Sequence, residues 1–481
     1  MSTITKRVCL KGSGDDALLE HDASPHGPFV ERLAASAARL EAARARLNSV
    51  ELDAWGRHTR RTDAAGGVAR ALRRHVGAEM ATGAWAKFYE IVAREPRLLP
   101  RDASGALRTL HLCEAPGAFV AALNHYLHAE RPDLLGDDRR GWRWVASTLR
   151  PSPAGFDDRF VTATADRWDC GADGTGDLLR AQNIAHFWQL AGEGSAEPAE
   201  RAASAARGFD LVTADGSVDC SADWSAQERT TAPLFVAEVL AALGALRVGG
   251  ALVVKLFTFY EGRTAALLEA LAAAFDELLA VKPFASKAGN GEVYVLGVGF
   301  RDDNVRPHVL RSVLERFGEQ SAPDGEGGRS LSPLERAVSG TATLESVPAR
   351  FLERVAAAAE YFAVQNIAAI ERNLETFAEH GRARERARAD AREHGEVQPP
   401  RGRKKRRRRR GPHVVHGDAA EDDADAAVER AANSAAFSTQ QRAALEFIWK
   451  CGIAELPPLC RVVQQDELDG CAVLGETLAE R

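Results

Sequence analysis

The chain has 481 residues, 45% of them apolar, and a formal net charge of -6. That length exceeds one ordinary domain and permits a sizeable core. No uninterrupted apolar run approaches the roughly 20 residues of a spanning helix, and residues 1–10 lack the apolar stretch of a signal peptide, so an intracellular protein without a membrane partner is expected. The seven cysteines, Cys9, Cys113, Cys170, Cys220, Cys451, Cys460 and Cys471, are scattered and form no CxxC pair. Reduced thiols are expected, with neither disulfides nor a metal site. The net charge conceals an asymmetry, because Arg401–Arg410 is almost wholly basic and Asp418–Asp425 is acidic. Charge alone therefore names no partner.

In chain order, residues 1–26 are polar and Gly-rich and predict a loose start. Phe29, Leu33, Ala37, Leu40 and Ala43 give Pro28–Leu47 a helical stripe. Thr82–Val92 reads as a second helix, with Trp85, Phe88 and Ile91 on its apolar side and Lys87 within it. Thr109–Leu112 is a buried strand, Glu114–Gly117 a turn and Ala118–Tyr126 a helix. Gly141–Leu149 reads as the next strand, Thr162–Asp177 as an irregular loop, Asn183–Leu190 as a helix and Glu193–Ala206 as a low-complexity surface insertion. A strand over Phe209–Ser217 leads to a helix over Thr231–Leu246, capped by Val248-Gly249-Gly250, and to a strand over Ala251–Phe257. A helix over Arg263–Leu279, a loop over Ser286–Asn290 and a strand over Glu292–Val298 complete the region.

Strands alternate with helices, which predicts an α/β fold with a mostly parallel central sheet. Helices are predicted over Val305–Phe317, Leu334–Val338 and Pro348–Arg388, then again over Ser438–Ile453. The implied partition is a helical extension over 1–75, an α/β domain over 76–302 and a helical extension over 303–382. A charged, disordered linker over 383–435 and a helical segment over 436–481 that docks back complete it.

The turn at Glu114-Ala115-Pro116-Gly117 is the first candidate site. Glycine lets a ligand approach the backbone, the helix that follows offers free N–H groups, and such crevices at strand ends bind nucleotide-like ligands in doubly wound sheets. An ordinary strand-turn-helix connection reads equally well from these residues alone. Asp215, Lys255 and Glu292 also fall at strand ends. A buried lysine needs carboxylate partners, so these three with Lys87 form either a polar plug or a reactive cluster.

Cys113–Phe119, Leu123-Asn124-His125-Tyr126-Leu127, Gly174-Thr-Gly-Asp177, Thr213–Ser217, Gly249–Lys255 and Ser286–Tyr294, in this order, resemble the FtsJ-like ribose 2′-O-methyltransferases of mRNA caps. The similarity is strongest to their cap-2, or Adrift-type, branch, and it spans about residues 80–300. The resemblance implies a Rossmann-type, S-adenosyl-L-methionine-dependent enzyme that methylates the ribose of the second transcribed nucleotide of a 5′-capped RNA, mRNA or small nuclear RNA. The same reaction at the first nucleotide or on another RNA, and an inactive RNA-binding scaffold, are the alternatives. Carried over by motif, the family's catalytic Lys-Asp-Lys-Glu set falls on Lys87, Asp215, Lys255 and Glu292. The cofactor role falls on Glu114, Ala115, Pro116, Gly117, Ala118 and Phe119, joined by Asp177 in its Gly-rich loop, and RNA contacts fall on Asn124 and Lys287. Read from the residues alone, Asp177 also fits a solvated turn, Glu114 a turn stabiliser and His125 a packing residue.

The run Arg401–Arg410 sits in a Pro-flanked polar segment. It fits a nuclear import signal, a nonspecific RNA tether or a solubilising charge block. Binding to an import receptor and a nuclear location are the favoured expectation.

Overall fold

The computed structural model describes residues 5–21, 23–101, 106–136, 141–150, 158–191, 208–220, 223, 225–301, 312–315, 317–318, 332–395, 418–464 and 467–468. The amino-terminal part contributes β1 (Lys6–Lys11), α1 (Gly27–Ala45), α2 (Leu52–Thr62), α3 (Val68–His75) and α4 (Gly83–Arg94). The alternating region comprises β2 (Arg108–Leu112), α5 (Ala118–Glu130), β3 (Arg143–Ala146), α6 (Arg159–Ala163) and α7 (Ala181–Ala191). It continues through β4 (Phe209–Ala214), α8 (Gln227–Ala245), β5 (Leu246–Leu256), α9 (Gly262–Ala274), β6 (Phe275–Lys282) and β7 (Val293–Phe300). Then come α10 (Pro333–Ser339), α11 (Ala349–Gly395) and α12 (Asp418–Lys450).

The strands form one seven-stranded sheet in the order β1-β6-β7-β5-β4-β2-β3. β3, β2, β4 and β5 are mutually parallel, whereas β7 runs antiparallel to β5 and β6, and β1 runs antiparallel to β6. Alternation along the strands sorts the core into two layers. Leu252, Val254, Val293 and Val295 face α8, α9 and α11, while Ala251, Val253, Leu211 and Leu296 face α4, α5 and α12. The same parity sends Asp215, Lys255 and Glu292 to the α4 and α5 side, at the edge where β2, β4 and β5 end and β7 begins.

Several expectations are corrected. The loose start contains β1, anchored where the fully buried Lys11 ammonium donates to the Phe275 carbonyl at 2.9 Å and pairs with Asp16 at 2.9 Å. The helix expected over Arg263–Leu279 ends at Ala274, and Phe275–Lys282 is β6. Its Glu, Leu and Ala residues favour a helix locally, but pairing with β1 and β7 overrides that preference. Gly249 does not cap α8: it lies inside β5 at φ +78°, where the register against β4 shifts. The region expected to be irregular after Thr162 begins with the end of α6.

The disordered linker expected over 383–435 is helical to Gly395 and again from Asp418, with no break at residue 382. That composition lacks large apolar side chains but is rich in Ala, Glu and Arg, the strongest helix formers. Cross-helix pairs such as His380–Glu429 at 2.9 Å and Arg388–Asp425 tie α11 to α12. The Glu193–Ala206 insertion, most of Val305–Phe317 and the basic run Arg401–Arg410 lie outside the described residues.

After α12 the chain crosses the α5 side of the domain. The Leu456 N–H donates to the Val76 carbonyl at 3.2 Å, and the Val462 and Val463 N–H groups both donate to the Glu79 carboxylate at 2.9 Å. Val463 joins Val120, Trp144 and Phe160 in a small core. Burial raises the Glu79 pKa even though the two N–H groups favour its anion. Glu79→Ala is expected to lower stability by about 1–3 kcal/mol, the cost of stranding buried donors, and to speed amide hydrogen exchange at Val462 and Val463 before exchange in the central strands.

Candidate functional site

The site is assembled where strand ends and one helix meet. Thr82 caps α4, its hydroxyl accepting from the Trp85 N–H at 3.2 Å, and Trp85, Phe88 and Tyr89 are fully buried. Lys87, on the remaining face of that turn, reaches the start of β7, where its ammonium lies 2.8 Å from Glu292 Oε1 and 2.9 Å from Oε2. Lys255, in the last turn of pleat of β5, lies 3.1 Å from Asp215 Oδ1 and donates to the Asp215 carbonyl at 2.8 Å. The Tyr294 hydroxyl donates to the same Asp215 oxygen at 2.9 Å. All four charged side chains of the sequence expectation therefore converge, and each is at most 17% exposed.

Burial alone would discharge such a cluster, so its charges must hold one another. For Lys255, desolvation pulls the pKa down, but Asp215, Glu292 and Glu238 together raise it above the ordinary lysine value. For Glu292, desolvation pushes upward, and Lys87, Lys255 and Lys282 outweigh it to keep the carboxyl below its ordinary value. The arrangement can hold an ammonium against an oxygen that gains negative charge, which is what a hydroxyl nucleophile requires.

The neighbouring turn is strained in backbone terms. Cys113 has φ +55° and Gly117 φ +114°. A Cβ on Gly117 would sit 2.3 Å from the Phe160 ring, so glycine is required by space as well as by conformation. The helix end behind it is not free. Glu114 is buried, and its Oε1 accepts from the Phe119 N–H at 2.7 Å and the Val120 N–H at 3.1 Å. Glu114 thus caps α5, correcting the expectation that those donors await a ligand. Phe119 is likewise a core residue, stacked on Phe88 at 4.4 Å, and Ala118 is buried, whereas Ala115 and Pro116 are half-buried on the turn.

Beside the turn, the loop over 169–177 folds across the end of β3. The Gly176 N–H donates to the Cys170 carbonyl at 2.7 Å, and a Cβ on Gly176 would sit 1.7 Å from the Thr148 carbonyl oxygen. Asp177 is half-buried, accepts from the Leu179 N–H at 2.9 Å and lies 3.5 Å from Arg180. The Ser147 hydroxyl, at the end of β3 and beneath this loop, is buried and has no partner among the described residues. An orphaned hydroxyl, a half-buried aspartate and the Ala115–Gly117 backbone fit a polar nucleoside-like ligand lying across the strand ends.

Of the two expected RNA contacts, Asn124 is corrected. It is buried, and its Nδ2 donates to the Cys460 carbonyl at 2.7 Å, while the adjacent His125 bonds the Ala454 carbonyl at 2.8 Å. These residues receive the carboxy-terminal segment and do not face the cleft. Lys287 is exposed at the tip of the turn between β6 and β7.

Residues not singled out in the sequence complete the site. Glu90 of α4 is buried and accepts from the Phe284 and Ala285 N–H groups at 2.9 and 3.2 Å, fixing the β6–β7 turn. Glu238 of α8 accepts from the Gly216 N–H at 2.9 Å beneath Asp215, and burial, opposed by Lys255, raises its pKa to about 7. The only sequence signal for these two is a carboxylate on an otherwise apolar helix face.

Burial raises the Glu114 pKa to about 8, with the two N–H bonds opposing. A folded pKa above the unfolded one means stability is greatest at low pH and is lost as pH rises from the unfolded value near 4.5 to about 8. Glu114→Gln can still accept both N–H bonds but cannot ionise. Urea unfolding between pH 5 and 8 is expected to show the variant gaining on the wild type as pH rises, and a constant difference would contradict the burial account.

The FtsJ-like methyltransferase family model matches residues 82–300, the stretch from the cap of α4 to the end of β7. The Drosophila melanogaster protein named cap-specific mRNA (nucleoside-2'-O-)-methyltransferase 2 is 38% identical over 290 residues, 58% of this chain and 39% of that protein. Proteins of the same name from Danio rerio and Mus musculus are 36% and 34% identical, each over 70% of this chain and over 43% and 40% of their own lengths. The chain thus spans less than half the length of these relatives. Residues 82–300 of this chain are an FtsJ-like methyltransferase domain.

Proposed function

We propose that the protein transfers a methyl group from S-adenosyl-L-methionine to the ribose 2′-hydroxyl of the second transcribed nucleotide of 5′-capped RNA. The observation that carries this reading is the convergence of Lys87, Asp215, Lys255 and Glu292 at the strand ends, one turn away from Gly117. The names of the relatives support the mRNA cap as the substrate, and the resemblance of the motifs to the cap-2 branch supports its second nucleotide.

When bound, the cofactor supplies an electrophilic methyl on a sulfonium. Ala115, Pro116, Gly117, Ser147 and Asp177 are the residues that would hold it. Lys255, kept charged by Asp215 and Glu292, stabilises the negative charge that develops on the attacking ribose oxygen as the hydroxyl proton is released to solvent and the sulfur would leave as the neutral thioether. Asp215 is fixed from two sides, by Tyr294 and by its contact with Lys255, which limits how far the ammonium can drift. Lys87 adds positive charge beside the ribose and is itself held by Glu292. Lys287, which is exposed, would meet a phosphate or the cap of the RNA. Arg401–Arg410 is proposed as the segment read by an import receptor, which would bring the protein to nuclear transcripts.

The test supplies labelled S-adenosyl-L-methionine with capped RNA, either methylated or not at the first ribose, and with uncapped RNA, then maps the labelled nucleotide. Label on the second nucleotide of capped RNA is expected. Label on the first nucleotide would move the reading to the earlier position, equal label on uncapped RNA would defeat the cap assignment, and no label would leave an RNA-binding scaffold.

A further inference from the structure

Lys282 ends β6 and is fully buried, yet no carboxylate among the described residues lies within ion-pair distance of its ammonium. Its acceptors are neutral. The ammonium donates to the Glu292 carbonyl at 2.8 Å, to Asn290 Oδ1 at 2.8 Å, to the Asn290 carbonyl at 3.0 Å and to the Ser286 hydroxyl at 3.4 Å. Ser286 in turn donates to Glu292 Oε1 at 2.7 Å, the oxygen that also receives Lys87. A buried cation satisfied only by dipoles is costly for stability, and such groups concentrate where chemistry needs them.

Strand parity explains the geometry. Lys282 shares the face of Leu278 and Ala280, opposite to the face that carries Lys255, so it approaches the start of β7 from beneath the sheet. There it walls a cavity of about 20 Å³ with Phe257, Val293, Phe362 and Asn366, whose amide oxygen is buried and without a partner among the described residues.

We infer that Lys282 is a positioning residue of the methyl-transfer site: by binding the 286–290 turn to the backbone of Glu292 it fixes the Glu292 carboxylate, and through it Lys87. This rests on the methyl-transfer reading above. The charged groups that face it are Glu292 at the start of β7, Lys6 on β1 and Lys87 on α4, while α11 offers only the neutral Asn366. Burial, opposed by Glu292 and reinforced by the two lysines, lowers the Lys282 pKa to about 7. Below that pH its charge helps keep Glu292 ionised.

Lys282→Met is expected to lower kcat by roughly 10–100-fold, the range seen when an outer partner of a functional group is removed, with KM for S-adenosyl-L-methionine unchanged and the acidic limb of the pH–kcat profile moved upward. Ser286→Ala, which removes the hydroxyl that joins the Lys282 ammonium to the Glu292 carboxylate, is expected to lower kcat in the same direction and decides the matter if the first variant does not fold. The pH dependence of carbodiimide labelling at Glu292, read by mass spectrometry, is expected to shift upward in Lys282→Met without any turnover. That readout separates the inference from the function, since a wild type that methylates no RNA would sink the reading while leaving the Glu292 titration measurable. A folded Lys282→Met with wild-type kcat and an unmoved Glu292 titration, or a Ser286→Ala with wild-type kcat, would overturn the proposal.

Discussion

A lysine ammonium at the end of a central strand can stay charged only if carboxylates meet it there, and the working edge of this sheet is arranged around that constraint. Lys255 is pulled toward neutrality by burial and held charged by Asp215, Glu292 and Glu238. Each carboxylate then needs its own support. Tyr294 bonds Asp215, Glu238 holds the Gly216 N–H behind it, and Ser286 and Lys87 hold Glu292. The supports come from β7, α8, the β6–β7 turn and α4, so the site tests the placement of elements on both faces of the sheet.

The turn beside this cluster is rigid for a separate reason. Glu114 occupies the end of α5, Phe160 closes on Gly117, and the carboxy-terminal segment reaches the same small core through Val463. Asn124 and His125, which sequence similarity marks as part of the domain, receive that segment through the Cys460 and Ala454 carbonyls. A region far along the chain thereby becomes part of the wall behind the Gly117 turn.

Legibility in the sequence followed how local each signal was. Buried parallel strands such as Ala251-Leu-Val-Val announce themselves as short apolar runs, and the charged residues at their ends are visible as departures from the run. Three members of the charged cluster, Asp215, Lys255 and Glu292, were therefore within reach, and Lys87 was joined to them with its role supplied by family resemblance, because a helical lysine carries little signal of its own. β6 was hidden because its Glu, Leu and Ala residues suit a helix, and only its two neighbours make it a strand. β1 was hidden by its short polar sequence and is fixed by Lys11, whose carbonyl acceptors at Phe275 and Asp276 lie more than 260 residues away. Glu114 was legible as a turn stabiliser only beside a cofactor reading, and Asn124 was legible as a notable residue but not in role, because a side chain's direction depends on what packs above it. Lys282 was illegible for the same reason as β6: its importance rests on the antiparallel pairing that sets it under Glu292.

The account stands or falls on Lys255 as the group that stabilises the attacking oxygen. Single-turnover methyl transfer by Lys255→Met, with S-adenosyl-L-methionine affinity measured on the same sample, addresses it most directly. Undiminished cofactor binding with transfer reduced by at least about 10²-fold, as for loss of one preorganised electrostatic contact, is the predicted result. Transfer at a near wild-type rate would contradict the assignment of the site.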